Sequence, residues 1–351
     1  MNPAPLAEGE VPGLVTGIGA RDVEVHVEAV GTVRCSLRGK LWGRDDEQSR
    51  PLAVGDRVTL EIERGPDIAA ADVMLGPDGT PGAPPEPHGV IRSVAERTNE
   101  LARMRGGRKR GARQVIAANL DRLVIVAALI DPPFRAGLVD RFLVACGVRG
   151  IDPLLVINKV DLGVSRGPDA PPQPGLEAAE ALAAPYREAG VDVLLCSAND
   201  GTGIDALRDT LTHGVHLLMG HSGVGKSSLL NAVAPSLALD TGVVADYHGR
   251  GKHTTTRVCL RPLPADDGVH GWVVDSPGLR EFGLLDVETT DAARLFPGLG
   301  DLPDRCKFRN CLHLKEPGCA VLAAVESGDF PAERHKGYLR MLEELDQPVE
   351  W

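Results

Sequence analysis

Residues Gly220 to Ser228 read GHSGVGKSS and fit the pattern G-x-x-x-x-G-K-[ST]. They lie between a short apolar run, His216 to Met219 (HLLM), and a helix-like stretch, Ser227 to Val233 (SSLLNAV). A strand, a glycine-rich turn and a helix start in that order make a cradle for phosphate. Glycine lets the loop wrap so that the backbone N–H groups of Gly220, His221, Ser222, Gly223, Val224 and Gly225 can turn inward. The helix start at Lys226, Ser227 and Ser228 adds a favourable dipole. The Lys226 ammonium is expected to reach the β- and γ-phosphates of a nucleotide, and the Ser227 hydroxyl to hold Mg²⁺.

Four further stretches extend this reading. Asn158, Lys159, Val160 and Asp161 (NKVD) follow the apolar run LLVI. A guanine edge carries an N1–H and an exocyclic amine, and one carboxylate accepts from both, whereas adenine offers no such pair. Asp161 is therefore the expected discriminator, Asn158 a polar partner and Lys159 a lid over the base. Downstream, Ser197, Ala198 and Asn199 follow Cys196 and the run VDVLL, where backbone donors could face the guanine carbonyl. Asp275 to Gly278 (DSPG) follows the run WVV. Asp275 is expected to hold Mg²⁺ and the Gly278 N–H to sense the γ-phosphate. Between these lies GRGKHTTTR, Gly249 to Arg257, in which Thr254 or Thr255 could complete the Mg²⁺ shell. Base recognition precedes phosphate binding along the chain. That is a circular permutation of the usual order, and it is workable because chain termini are often close in space.

The bulk numbers agree with an ordinary folded protein. The chain has 351 residues, 43% of them hydrophobic, and a formal net charge of −11. The acidic balance argues against indiscriminate coating of nucleic acid, although Arg103 to Arg113 (RMRGGRKRGAR) is a local basic run. That run reads equally as a solvated linker and as a phosphate-contacting segment. The longest clean apolar run, Leu123 to Ile130, is too short to span a bilayer, and the N-terminus does not read as a secretory signal, so a cytoplasmic protein is expected.

Texture divides the chain. Residues 1–12 read as a loose arm. From 13 to 98 short β-branched runs alternate with Gly and Asp, as in Val23 to Val27, Thr32 to Leu37 and Val58 to Ile62, with a Pro/Gly/Asp-rich loop over 65–89. This predicts a small all-β barrel, with Trp42 one of its few rings. From 99 to 290 apolar runs alternate with helix-like stretches, such as Leu138 to Val148 and Leu176 to Ala189, the pattern of an α/β domain with a mainly parallel sheet. Gly163 to Gly175 is a Pro-rich insertion. From 291 to 351 the chain reads as helical, ending in Pro331 to Asp346. Within it lie Cys306, Cys311, His313 and Cys319, spaced x₄, x and x₅. Three thiolates and an imidazole can make a closed tetrahedral zinc site, yet this spacing alone also fits buried cysteines. The other four cysteines, Cys35, Cys146, Cys196 and Cys259, lie in apolar or strand-like stretches and read as reduced, buried thiols.

The whole set of motifs resembles the RsgA/YjeQ family of circularly permuted GTPases. The stretches AANLDR, NKVD, GHSGVGKSSLLN, GRGKHTTT, DSPGLRE and CKFRNCLHLKEPGCAV, between Ala117 and Val321, carry the resemblance. It departs at Ser276, where threonine is common, and at Asn199. The resemblance implies an N-terminal OB-fold barrel, a permuted α/β P-loop GTPase and a helical C-terminal domain with structural Zn²⁺. It further implies GTP and GDP as ligands, the small ribosomal subunit and its 16S rRNA as partners, and a monomer. A Ras-like glutamine after DxxG is replaced by Leu279, which cannot orient water; His253 is the expected replacement. A P-loop ATPase or kinase, against which NKVD argues, and a non-catalytic nucleotide-gated RNA-binding module remain as rival readings.

Overall fold

The computed structural model describes residues 9–19, 22–28, 30–37, 52–63, 87–104, 113–164, 173–239, 258–265, 268–275, 287 and 289–346. They form two compact units. One is built on Met1–Asn119 with Thr255–Arg261 and Val274–Pro277, the other on Leu120–Thr254, Pro262–Val273 and Gly278–Trp351.

The first unit is a closed barrel. Its strands are β1 (Glu10–Ile18), β2 (Val23–Val27), β3 (Gly31–Leu37), β4 (Arg57–Glu63) and β5 (His88–Val94), ordered β1-β2-β3-β5-β4, with β4 returning to β1. This is the five-stranded closure of an OB-fold. Period-two alternation drives it: Val23, Val25 and Val27 point inward while Glu24 and His26 are half-buried. Val15, Val25, Val33, Leu60 and Ile91 are fully buried at the centre. β1 begins at Glu10, inside the stretch expected to be a loose arm, because Glu10, Val11 and Pro12 pair with Glu61, Leu60 and Thr59. A hairpin of β6 (Glu100–Met104) and β7 (Arg113–Ala118) belongs to the same unit. Asn119, at its end, takes the Thr98 N–H on Oδ1 and donates through Nδ2 to the Gly55 carbonyl, both at 2.9 Å. Trp42 and residues 105–112 of the basic run lie outside the described residues.

The second unit is α/β. Its strands are β8 (Arg122–Ala128), β9 (Asp152–Asn158), β10 (Asp192–Leu195) and β11 (Gly214–Met219), with the parts of β12 (Cys259–Ala265) and β13 (Gly268–Asp275) that fall within Pro262–Val273. The order is β10-β9-β8-β11-β13-β12, and the pairings from β10 through to β13 are parallel. Helices α1 (Ala136–Arg149), α2 (Gly175–Glu188), α3 (Ile204–Leu211) and α4 (Lys226–Val233) alternate with these strands along the chain. Buried parallel strands read as unbroken apolar runs, and Leu123 through Leu129 are all buried. At the opposite edge from the strands' carboxyl ends, Arg122 holds Asp152 at 2.9 Å and Asp192 at 3.0 Å, tying three strand starts into register. Cys146 and Cys196 are buried thiols, pushed up to about 12 by burial, whereas Cys259 is only half-buried.

The C-terminal helices α5 (Thr289–Leu295), α6 (Ala320–Ser327) and α7 (Ala332–Asp346) pack in this same unit. Phe296, Leu299, Val321 and Tyr338 form their core, joined by Val144 of α1. Arg334 on α7 reaches Asp140 of α1 with one nitrogen at 2.7 and 2.9 Å from its two oxygens. No helix among the described residues is long and apolar enough to cross a membrane.

Candidate functional site

In a parallel sheet, ligands bind outside the carboxyl ends of the strands. The loops after β9, β10 and β11 all leave from that edge. They are NKVD, the 196–199 loop and GHSGVGKSS respectively, so parallel pairing alone brings stretches that are far apart in sequence to one side.

The loop after β11 is shaped by two positions. Gly220 has φ 150°, and a Cβ there would fall 2.0 Å from the Val126 carbonyl oxygen of β8. Gly225, at φ 93°, opens α4, and a Cβ there would fall 2.4 Å from Asn158 Nδ2. The same Asn158 nitrogen donates to the Val224 carbonyl at 2.8 Å. The first residue of NKVD is thus hydrogen-bonded to the phosphate loop, 66 residues on. Gly225→Ala is expected to destabilise the fold by about 1–3 kcal/mol through left-handed strain and overpacking. It should also weaken nucleotide binding, as read by denaturant unfolding alongside nucleotide titration.

The remaining side chains take defined positions. Lys226 Nζ donates to the carbonyls of Gly220 at 2.8 Å and His221 at 3.0 Å, which holds the ammonium at the mouth of the loop. Val224 is buried, Ser227 and Ser228 are half-buried on the first turn of α4, and His221 and Ser222 are exposed. Lys159 sits at φ 67° and its Nζ donates to the Asp131 carbonyl. Val160 is buried, its N–H on the Cys196 carbonyl at 3.3 Å, which joins NKVD to the loop after β10. Asn158 is buried, and among the described residues its Oδ1 has no hydrogen-bond partner. A polar ligand or water there would relieve a desolvation cost of about 1–3 kcal/mol.

Asp161 receives Ser197 Oγ on Oδ1 at 2.8 Å and Asn199 Nδ2 on Oδ2 at 3.2 Å. Sequence reading gave this loop only backbone donors and missed both side-chain roles. The Ser197 N–H goes to Thr202 O at 2.9 Å, and those of Asn199 and Asp200 go to Ser197 Oγ at 3.2 Å each. Asp275 ends β13 and takes Arg261 Nε at 2.6 Å, a partner the sequence gave no sign of. His253, Thr254, Thr255 and Gly278 lie outside the described residues.

The structure brings the four residues of the C-terminal cluster together. The ligand atoms of Cys306, Cys311, His313 and Cys319 all lie within 4.8 Å of one another. Cys306 Sγ is 3.5 Å from His313 Nδ1 and 3.8 Å from Cys319 Sγ; His313 Nδ1 is 3.3 Å from Cys319 Sγ. Zinc bonds of about 2.3 Å to sulfur and about 2.0 Å to nitrogen give tetrahedral edges of about 3.8 and 3.5 Å, so the residues present fit that ion. Backbone N–H groups of Ala320 and Leu322 point at Cys306 and Cys319 sulfur at 3.3 and 3.4 Å, an arrangement that favours thiolate. Burial first, and then the neighbouring cysteines, push Cys311 up to about 12 and Cys319 upward. Around the cluster, His335 Nε2 meets the His313 carbonyl at 2.9 Å, and the Glu316 carboxylate accepts from the N–H groups of Leu312, Leu314 and Lys315 at 2.9, 2.8 and 3.0 Å.

Comparison with known proteins agrees with this geometry. The family model of the RsgA GTPase matches residues 94–285. A protein of Gemmatimonas aurantiaca named small ribosomal subunit biogenesis GTPase RsgA is 38% identical, over 92% of this chain and 93% of its own. One of the same name from Chlorobaculum parvum is 36% identical, over 95% and 98%. Among solved structures, YjeQ from Thermotoga maritima superposes with a TM-score of 0.67 at 29% identity, covering 97% of this chain and 100% of its own. YloQ, described as a circularly permuted GTPase, gives 0.66 at 28%, over 99% and 100%. This chain therefore belongs to the RsgA GTPase family, enzymes that hydrolyse GTP.

Proposed function

We propose that this protein binds GTP at the carboxyl edge of its parallel sheet and spends that GTP on a late step in maturation of the small ribosomal subunit. The observation that supports a single composite site is the 2.8 Å hydrogen bond from Asn158 to Val224, which links base-recognition and phosphate loops. Its relatives' printed names carry the ribosomal reading.

In this reading Asp161 accepts from guanine, Lys159 covers the base, and the Ala198 N–H faces the guanine carbonyl. The backbone of Gly220 to Gly225 wraps the phosphates and Lys226 neutralises the β- and γ-oxygens. Ser227 and Asp275 would hold Mg²⁺, which when bound spreads the charge developing on the β- and γ-phosphates. Thr254 or Thr255 would join that shell, and the Gly278 N–H would read the γ-phosphate. His253 orients the attacking water through a neutral imidazole nitrogen. Water attacks directly, with no covalent enzyme intermediate. Cys306, Cys311, His313 and Cys319 would hold one structural Zn²⁺, replacing a core too small to fix the segment by itself. We read the protein as a cytoplasmic monomer in three parts: an arm and OB barrel to about 98, the GTPase to 290 and the zinc-binding tail. The barrel and the basic run are the candidate contacts with 16S rRNA, and GTP hydrolysis releases the factor.

Phosphate release measured with purified 30S or 50S subunits tests this reading. Stimulation by 30S alone is expected, and His253→Ala should lose most of it. Equal turnover with either subunit, or none beyond the intrinsic rate, would contradict the ribosomal assignment. Full stimulation of His253→Ala would remove the role given to that residue.

A further inference from the structure

Asp161 has both carboxylate oxygens engaged by one loop. Ser197 Oγ donates to Oδ1 at 2.8 Å, and Asn199 Nδ2 donates to Oδ2 at 3.2 Å. An asparagine side chain can meet a carboxylate productively only through its NH₂ group, so chemistry fixes which end faces Asp161. Ser197 is itself rigidly placed. It is fully buried, and its Oγ accepts the N–H groups of Asn199 and Asp200 at 3.2 Å each. Asp200 Oδ1 in turn accepts the Thr202 N–H at 2.9 Å, closing the turn. A carboxylate offers about four acceptor positions; two are taken, and two remain.

We propose that Asn199 is a positioning residue for guanine recognition: with Ser197 it fixes the carboxylate plane of Asp161, so that the two remaining acceptor positions face a base edge carrying two donors. This rests on the assignment of Asp161 to the base. The terminal torsion of aspartate is broad. One donor from Ser197 pins one oxygen and leaves the other free to swing about it. A second donor on the second oxygen stops that rotation. A base with N1–H and an exocyclic amine needs both oxygens in its plane, whereas a base with N1–H alone tolerates the swing. Asn199 therefore matters more for guanine than for hypoxanthine.

The test uses the full-length protein and equilibrium binding of GDP, IDP and XDP, IDP lacking the exocyclic amine. Asn199→Ala is expected to weaken GDP roughly three- to tenfold and IDP by less than about twofold, so the GDP-to-IDP preference falls. The melting temperature should not move, because Asn199 is exposed. Asn199→Asp, which sets a second carboxylate against Asp161, should weaken GDP further. Asp161→Asn is the control for the underlying assignment and should transfer preference to XDP. If it does so while Asn199→Ala keeps the wild-type GDP-to-IDP ratio, the role given to Asn199 is overturned and the base assignment stands. Tighter GDP binding by Asn199→Ala would also overturn it, since the amide would then be a competitor. Unchanged base preference in Asp161→Asn would remove both.

Discussion

Replacing Arg334 with leucine is expected to destabilise the protein by about 3–5 kcal/mol, the largest stability effect of any single change considered. The guanidinium is 13% exposed and meets a carboxylate, Asp140, that is 2% exposed. It lies 4.9 Å from the Tyr186 ring centroid and 5.0 Å from that of Phe296, and it also donates to the Pro297 carbonyl at 3.1 Å. Leucine would leave Asp140 buried without its cationic partner. Burial pushes the Asp140 carboxyl above the usual carboxylate range, and Arg334, with a hydrogen bond from Tyr186, pulls against that push. Without Arg334 the burial push meets the Tyr186 hydrogen bond alone, so the folded-state value, already above the unfolded one, rises further. The native state then binds a proton the unfolded state does not, and stability increases as pH falls. Chemical denaturation of Arg334→Leu should therefore show a smaller deficit near pH 5 than near pH 8. Adding Asp140→Leu should recover part of the loss, because a buried pair replaced by apolar groups is far less costly than a broken one. A deficit below about 1 kcal/mol, flat with pH, would mean that the pair is solvated.

Lys226→Ala carries the largest expected effect on catalysis. The ammonium is held over the loop by the Gly220 and His221 carbonyls at 2.8 and 3.0 Å, where phosphate charge is to be neutralised. Loss of one such preorganised donor lowers turnover by roughly 100- to 1,000-fold. Stability should change by no more than about 1 kcal/mol, because the side chain is half-buried and its hydrogen bonds to the Gly220 and His221 carbonyls are each worth about that much. Single-turnover GTP hydrolysis and thermal melting of the same preparation separate the two. Near wild-type turnover would place the γ-phosphate elsewhere.

Local motifs carried most of the site in the sequence. GHSGVGKSS and NKVD each announce themselves within a few residues, because a tight phosphate loop and a base-edge acceptor need fixed neighbours along the chain. The helix expected at Leu138 to Val148 forms as Ala136–Arg149, and that at Leu176 to Ala189 as Gly175–Glu188. What escaped reading is what joins distant segments. Asp161 meets Ser197 and Asn199 across 36 and 38 residues, and Arg334 meets Asp140 across 194. No periodicity encodes such pairs; they exist only once the sheet has paired. Short elements escaped too. Helix α3 has only eight residues, and α6 starts at a cysteine of the Cys₃His cluster, Cys319, whose sulfur accepts the Leu322 N–H as its cap. The Cys₃His set was ambiguous from spacing because tetrahedral closure is a property of the folded loop.

Permutation is harmless to this site only if the loops after β9 and β11 serve one nucleotide. Determination of a crystal structure with a non-hydrolysable GTP analogue tests that most directly. The expected result is one bound nucleotide, its base edge on the Asp161 carboxylate and its terminal phosphates against the Lys226 ammonium. Density that engages Lys226 while Asp161 faces a separate cavity would contradict the account.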